Sequence, residues 1–200
     1  MKALSPRGEQ IVDAAIELLS IGGIPALTTK NLASAVGVTE PALYRHFKNK
    51  MDILEAILIQ QEWMVRHRFE RYAEQGGSVL DQIEEVYAGI FRGFADNPAR
   101  SAVAFAEEIF RQDSHLAEHF NRIMEVAEEN IIALLASEQG RKECRTDIPP
   151  KDLARMMMGS SRLLVTRWRL GNYNFDLEEQ GARLWKSLRT ALAPYPGPNA

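Results

Sequence analysis

Between residues 6 and 20 the apolar positions Ile11, Ala14, Ala15, Leu18 and Leu19 recur three and four apart, the stripe of an amphipathic helix. Ser5 is placed to cap it and Pro6 suits its first turn, while Gly22-Gly23 and Pro25 stop it. Two short helices are predicted next, at about 29–35 behind Thr28 and at about 40–47 behind Thr39, with Gly37 in the turn between them. Asn49 caps a long helix from 50 to about 72, with Asp52 in its first turn and Gly76-Gly77-Ser78 after it. Further helical periods run over 79–95, 99–111, 115–137, 150–169 and 176–192. The remaining long loop is 138–149, and the tail from Pro194 to Pro198 is a poor helix former expected to fray. No stretch alternates as a strand does, so the expected fold class is all-α.

Composition narrows this only a little. The 200 residues are 46% hydrophobic and 26% charged, enough for a real core and ordinary for a globular protein. No run approaches the roughly 18 apolar residues of a membrane span, and the first residues lack the apolar region of a signal peptide. The single cysteine, Cys144, fits a reducing cytoplasm. Charge says more once divided. The chain carries −3 overall, but residues 1–50 carry +2 and the rest −5. Lys30, Arg45, His46, Lys48 and Lys50 fall between positions 30 and 50, over and just after the short-helix segment, a local anion-binding surface on an acidic body.

That segment, Leu27 to Phe47, is two short helices joined by a tight glycine turn, which is a helix-turn-helix. Leu32, Ala33, Val36, Val38, Leu43 and Phe47 supply its small core. The outer face is left to Thr39, Glu40, Ala42 and Arg45, positioned to enter a major groove N-terminus first. The run Thr39-Glu40-Pro41-Ala42-Leu43-Tyr44-Arg45-His46-Phe47-Lys48-Asn49-Lys50 resembles the signature of the tetracycline-repressor (TetR) family, and the likeness covers residues 7–58. The resemblance implies a three-helix DNA-binding domain over 1–49 and a helical effector-binding and dimerisation domain over 50–200. By position it implies phosphate or nearby-base contacts for Thr29 and Lys30, and base-edge contacts for Thr39, Glu40, Pro41 and Ala42. It implies phosphate contacts for Tyr44, His46 and Lys50. Arg45 is left between guanine and phosphate. A carboxylate such as Glu40 repels phosphate but accepts from cytosine N4.

One helix-turn-helix makes few contacts, so two are expected to act together on half-sites about one DNA turn apart, ~34–36 Å. The family's dimer is a bundle of its last two helices. Met156, Gly159, Ser160, Leu163, Gly181, Leu184, Trp185 and Leu188 are the candidates here. The resemblance also implies a small-molecule pocket. Trp63, Phe91, Phe105, Phe110, Met124 and Trp168 are its candidate lining, favouring an apolar or aromatic effector. Effector binding is expected to move the helix 50–72 and so change the spacing of the two reading helices.

The expected function is thus a homodimeric transcriptional regulator of double-stranded operator DNA, a repressor released by a small effector. It is expected to be cytoplasmic and to need no cofactor or metal, with no membrane partner. The sequence is compatible with three other chemistries. A DNA-bound adaptor without an effector keeps the same N-terminal domain. His115-Leu116-Ala117-Glu118-His119 matches a zinc-hydrolase spacing, with both histidines on one helix face and Glu118 as base. Cys144, flanked by Arg141, Lys142 and Arg145, has the cationic neighbours of a low-pKa redox thiol. No phosphate-binding glycine loop or nucleophile elbow is present.

Overall fold

In the computed structural model, which describes residues 4–74, 78–105 and 107–194, every regular element is a helix. The order is α1 (Pro6–Ala26), α2 (Thr29–Val36), α3 (Glu40–Leu43), α4 (Lys50–Glu74), α5 (Val79–Asp96), α6 (Pro98–Ala104), α7 (Glu107–Phe110), α8 (Ser114–Arg141), α9 (Pro150–Leu170) and α10 (Leu177–Leu192). The glycines at 76 and 77 and the tail from 195 lie outside the described residues.

The caps read from the sequence form. The Ser5 hydroxyl accepts from the Gly8 N–H at 3.1 Å, Thr28 from Asn31 at 3.1 Å, and Asn49 from Asp52 at 3.0 Å. Thr39 differs: its side chain makes no cap hydrogen bond, and its carbonyl accepts from Ala42 and Leu43 instead. Gly23 breaks α1 with φ 61° and ψ −157°, so the regular part of that helix ends there as the glycine pair predicts. The helix predicted over 99–111 is two short ones, and α8 runs on to Arg141, which shortens the loop after it.

Packing divides the chain into two compact units. The first comprises residues 1–63 and 97–122, the second 64–96 and 123–200. In packing, α6, α7 and the start of α8 group with the N-terminal helices. In the first unit α1 packs on α2 and α6. Its core holds Ile11, Leu19, Leu32, Leu43, Ile57 and Phe110, with the Phe110 ring stacked on Phe120 at 5.3 Å. In the second unit α10 packs on α5 and α9. Gly181 of α10 lies so near Phe91 of α5 that an added Cβ would stand 2.2 Å from a ring carbon. One turn along, Trp185 stacks on Tyr87 at 6.2 Å.

Candidate nucleic-acid interface

Gly37 makes the corner between α2 and α3. It is left-handed (φ 70°, ψ 39°), and its N–H closes on Ala33 and Ser34 while the Val38 N–H reaches Ala33 at 2.9 Å. A Cβ there would meet no neighbour, so the glycine serves backbone conformation and not space. Of the predicted core, Leu32, Ala33, Leu43 and Phe47 are buried beneath the corner, while Val36 and Val38 are half-buried. α3 is shorter than the predicted 40–47. After Leu43 the chain tightens, with Arg45 bonding back to Ala42 and His46 to Leu43, three residues behind.

The outer face carries the predicted side chains. Lys30, Thr39, Glu40, Pro41, Tyr44, Arg45 and His46 are exposed, and Thr29 and Ala42 are half-buried. Half of the Tyr44 surface faces solvent. Beside it lies a small pocket with an apolar floor of Leu32, Leu43, Phe47 and Ile53. Its polar rim is Thr28, Thr29, Tyr44, Asn49 and Lys50, which brings together the starts of α2 and α4. Two helix N-termini lie beside it, and the backbone N–H groups of a helix start suit an anion.

Four of the predicted side chains are already engaged. The Thr29 hydroxyl donates to the Glu40 carboxylate at 2.8 Å. The Lys50 ammonium donates to the Ile24 carbonyl at 2.9 Å, gripping the end of α1, and partial burial lowers its pKa. Lys50 thus spends one of its three N–H groups inside the fold. His46 Nδ1 lies 3.4 Å from the Ser5 hydroxyl.

Of the subunit-contact candidates, Met156, Gly159 and Leu163 are exposed and Ser160, Leu184 and Leu188 half-buried. Gly181 and Trp185 are buried inside their own chain, against Phe91 and Tyr87, so their small-residue and aromatic signals are spent on intramolecular packing. The sequence reading missed Leu170, which is 80% exposed and continues Met156 and Leu163 at seven-residue steps. That heptad spacing was available in the sequence.

The six candidate pocket residues do not gather in one unit. Trp63, Phe105 and Phe110 belong to the first unit, Phe91, Met124 and Trp168 to the second. Phe110 is spent on Phe120. Trp168 is buried edge-on to Tyr173, and its indole N–H donates to the Phe175 carbonyl at 3.0 Å. The second unit instead buries several polar atoms without a hydrogen-bond partner: the Tyr87 and Ser161 hydroxyl oxygens, the Trp185 indole nitrogen and one carboxyl oxygen of Glu138. Burial pushes the Tyr87 phenol up, opposed by the nearby Ser161 hydroxyl.

The histidine pair is tied to carboxylates. His119 is buried, with Nδ1 2.9 Å from Glu55 and Nε2 3.1 Å from Glu62, while the exposed His115 reaches the other oxygen of Glu55 at 3.5 Å. Both His119 nitrogens face carboxylates, Glu118 is exposed, and no group of three or more His, Cys, Asp or Glu among the described residues is arranged to hold a metal. The spacing that matches a zinc hydrolase therefore ties α8 to α4. Cys144 is also corrected. It is buried, and desolvation raises its thiol pKa. The Arg145 guanidinium is turned to Asp147, at 2.9 and 2.7 Å.

Residues 11–57, which hold most of α1, the corner and the start of α4, match the family model described as bacterial regulatory proteins of the tetR family. The chain thus carries a tetR-family regulatory domain over residues 11–57. It is a DNA-binding regulator, not an enzyme. Among its relatives is the nucleoid occlusion factor SlmA of Vibrio vulnificus (strain YJ016), 25% identical over 189 residues, covering 94% of this chain and 96% of that protein. The same fold is seen in the fatty acid degradation regulator FadR of Bacillus halodurans (TM-score 0.79, 19% identity, 94% and 97% of the two chains). It is seen also in FadR of Bacillus subtilis in complex with stearoyl-CoA (TM-score 0.76, 21% identity, 92% and 98%). Among the described residues, no helix is long and apolar enough to cross a membrane.

Proposed function

We propose that this TetR-family protein is a cytoplasmic homodimeric repressor that reads a two-fold operator with α3 and lets go when a small ligand occupies its second unit. The observation that carries the DNA half is the exposed row Thr39, Glu40, Pro41, Tyr44 and Arg45 on a corner fixed from below by Leu32, Leu43 and Phe47. In this reading Thr39, Glu40, Pro41 and Ala42 meet base edges. Lys30, Tyr44, His46 and the free N–H groups of Lys50 meet phosphate, and Arg45 meets guanine or phosphate. Residues 1–49 carry DNA recognition, and 50–200 carry regulation and pairing.

Dimerisation is assigned to α9. Met156, Leu163 and Leu170 are 54%, 59% and 80% exposed at heptad spacing, with Gly159 and Ser160 beside them to let a second helix approach. The effector half is supported by the buried hydroxyls of Tyr87 and Ser161 and the indole N–H of Trp185. Each buried polar group left unpaired costs about 1–3 kcal/mol, which a ligand's polar atom offsets. Around them lie Phe91 and apolar side chains, so the ligand is mainly apolar with an acceptor group.

The test is a labelled operator complex titrated with stearoyl-CoA, the ligand named for the Bacillus subtilis structural neighbour, as an apolar probe with carbonyl acceptors. Release that Tyr87→Phe weakens supports the effector site. A complex that stays bound at saturating probe favours a second reading, in which the protein acts while DNA-bound and needs no effector. The specific observation behind that reading is the full-length similarity to a nucleoid occlusion factor.

A further inference from the structure

We infer that Thr29 is a specificity-determining residue that acts through Glu40: it aims the carboxylate of α3 at a base amino group and makes no side-chain phosphate contact. The inference rests on the proposal that α3 reads base edges.

The geometry carries it. Thr29 is the first residue of α2, and Glu40 the first of α3, eleven positions on. The Gly37 corner folds the two helix starts onto each other, and the Thr29 hydroxyl donates to Glu40 Oε2 at 2.8 Å. A threonine hydroxyl has one proton. While that proton is given to Glu40, the side chain has none for a phosphate oxygen, although the Thr29 backbone N–H at the helix start keeps its own.

Glu40 gains what Thr29 gives up. A glutamate side chain alone samples several rotamers, and ordering one costs side-chain entropy. Fixing one oxygen on Thr29 leaves Oε1 as the acceptor with a set direction. In the major groove the only base donors are the amino groups of cytosine and adenine. Guanine and thymine present acceptor oxygens at the corresponding position, which a carboxylate repels. The pair therefore selects an amino-bearing base, with cytosine favoured for a carboxylate acceptor. An unaimed carboxylate this close to DNA would chiefly repel phosphate.

The test is selection from a random duplex pool with the full chain and with Thr29→Val, Thr29→Ser and Glu40→Gln, followed by affinities on duplexes differing at the selected pair. Val keeps the shape of threonine but donates nothing, and Ser keeps the hydroxyl. The expected result is that Glu40→Gln and Thr29→Val flatten preference at the same base pair in each half-site. Discrimination there should fall roughly tenfold, with Thr29→Ser retaining it. Two results overturn the inference and leave Glu40 as a base reader: Thr29→Val keeping the preference, or losing affinity equally on every duplex, the mark of a phosphate contact. If Glu40→Gln leaves the preference intact, both the inference and the base-reading role of Glu40 fall.

Discussion

The α2–α3 corner keeps its shape through backbone caps and one left-handed glycine, whereas the α5–α9–α10 core of the second unit keeps its shape through side-chain volume. In the corner, Thr28 and Gly37 act on the residues next to them, and the groups that meet solvent are free to be chosen for chemistry. In the core, Gly181 matters because of Phe91, ninety positions away, and Trp185 because of Tyr87. The first kind of constraint is written locally and the second only in the folded chain.

The sharpest test of that contrast is Gly181→Ala. The new Cβ would stand 2.2, 2.7 and 2.9 Å from three atoms of the Phe91 ring, which is itself buried and has little room to turn. Overpacking of this kind costs about 1–3 kcal/mol, or a drop of roughly 3–10 °C in melting temperature for a chain of this size. Gly140→Ala on the exposed side of α8 meets no atom within 4 Å and should leave the melting temperature unchanged or slightly raised. Equal effects would break the comparison.

Leu163→Glu comes next. The side chain is 59% exposed, so the single chain loses little. If α9 is the pairing face, a charge on it should shift sedimentation from dimer to monomer and weaken operator binding with it. A variant still dimeric at micromolar concentration would move the interface elsewhere.

Lys30→Ala probes the corner. Lys30 is an exposed cation at the start of α2. Its loss should weaken binding severalfold on all duplexes alike and reduce the salt slope by about one. A loss confined to one operator variant would make Lys30 a base reader.

The smallest effect belongs to Glu138. Its side chain is buried. Desolvation, then its hydrogen bond and repulsion with Glu143, raise its pKa, against the partial relief of Arg141 at 3.3 Å. A carboxyl held above its unfolded value keeps its proton longer in the folded state. Its contribution to stability is thus complete below the ordinary carboxylate range and is lost as pH rises through the raised folded value. Glu138→Gln should raise the melting temperature at neutral pH by about 2 °C, with the gain disappearing in acid. A gain that persists in acid would point to packing instead of charge.

How much of this was legible follows the same division. The all-helical class, the glycine corner, the caps of Ser5, Thr28 and Asn49 and the buried set under α3 could be read because each depends on residues within a few positions. The Thr29–Glu40 bond could not: both side chains look free in sequence, and only the left-handed turn at Gly37 folds them together. The His115–Glu118–His119 spacing is the reverse case: it looks metal-like in sequence, but α4 brings Glu55 and Glu62 to His119 and makes it a hydrogen-bonded cluster. Gly181 and Trp185 have the residue types of an interface and are consumed within one chain. Leu170 has the type and spacing of the exposed stripe, and a count of sevens from Met156 reaches it.

The central claim is that two copies of α3 read a two-fold operator. Selection of bound sequences from a random duplex pool, with purified protein at fixed salt and chelator present, tests it most directly. The account predicts a palindromic consensus with half-sites about 10–10.5 base pairs apart, or a multiple of that. Recovery of the starting pool, with no sequence enriched, would contradict it.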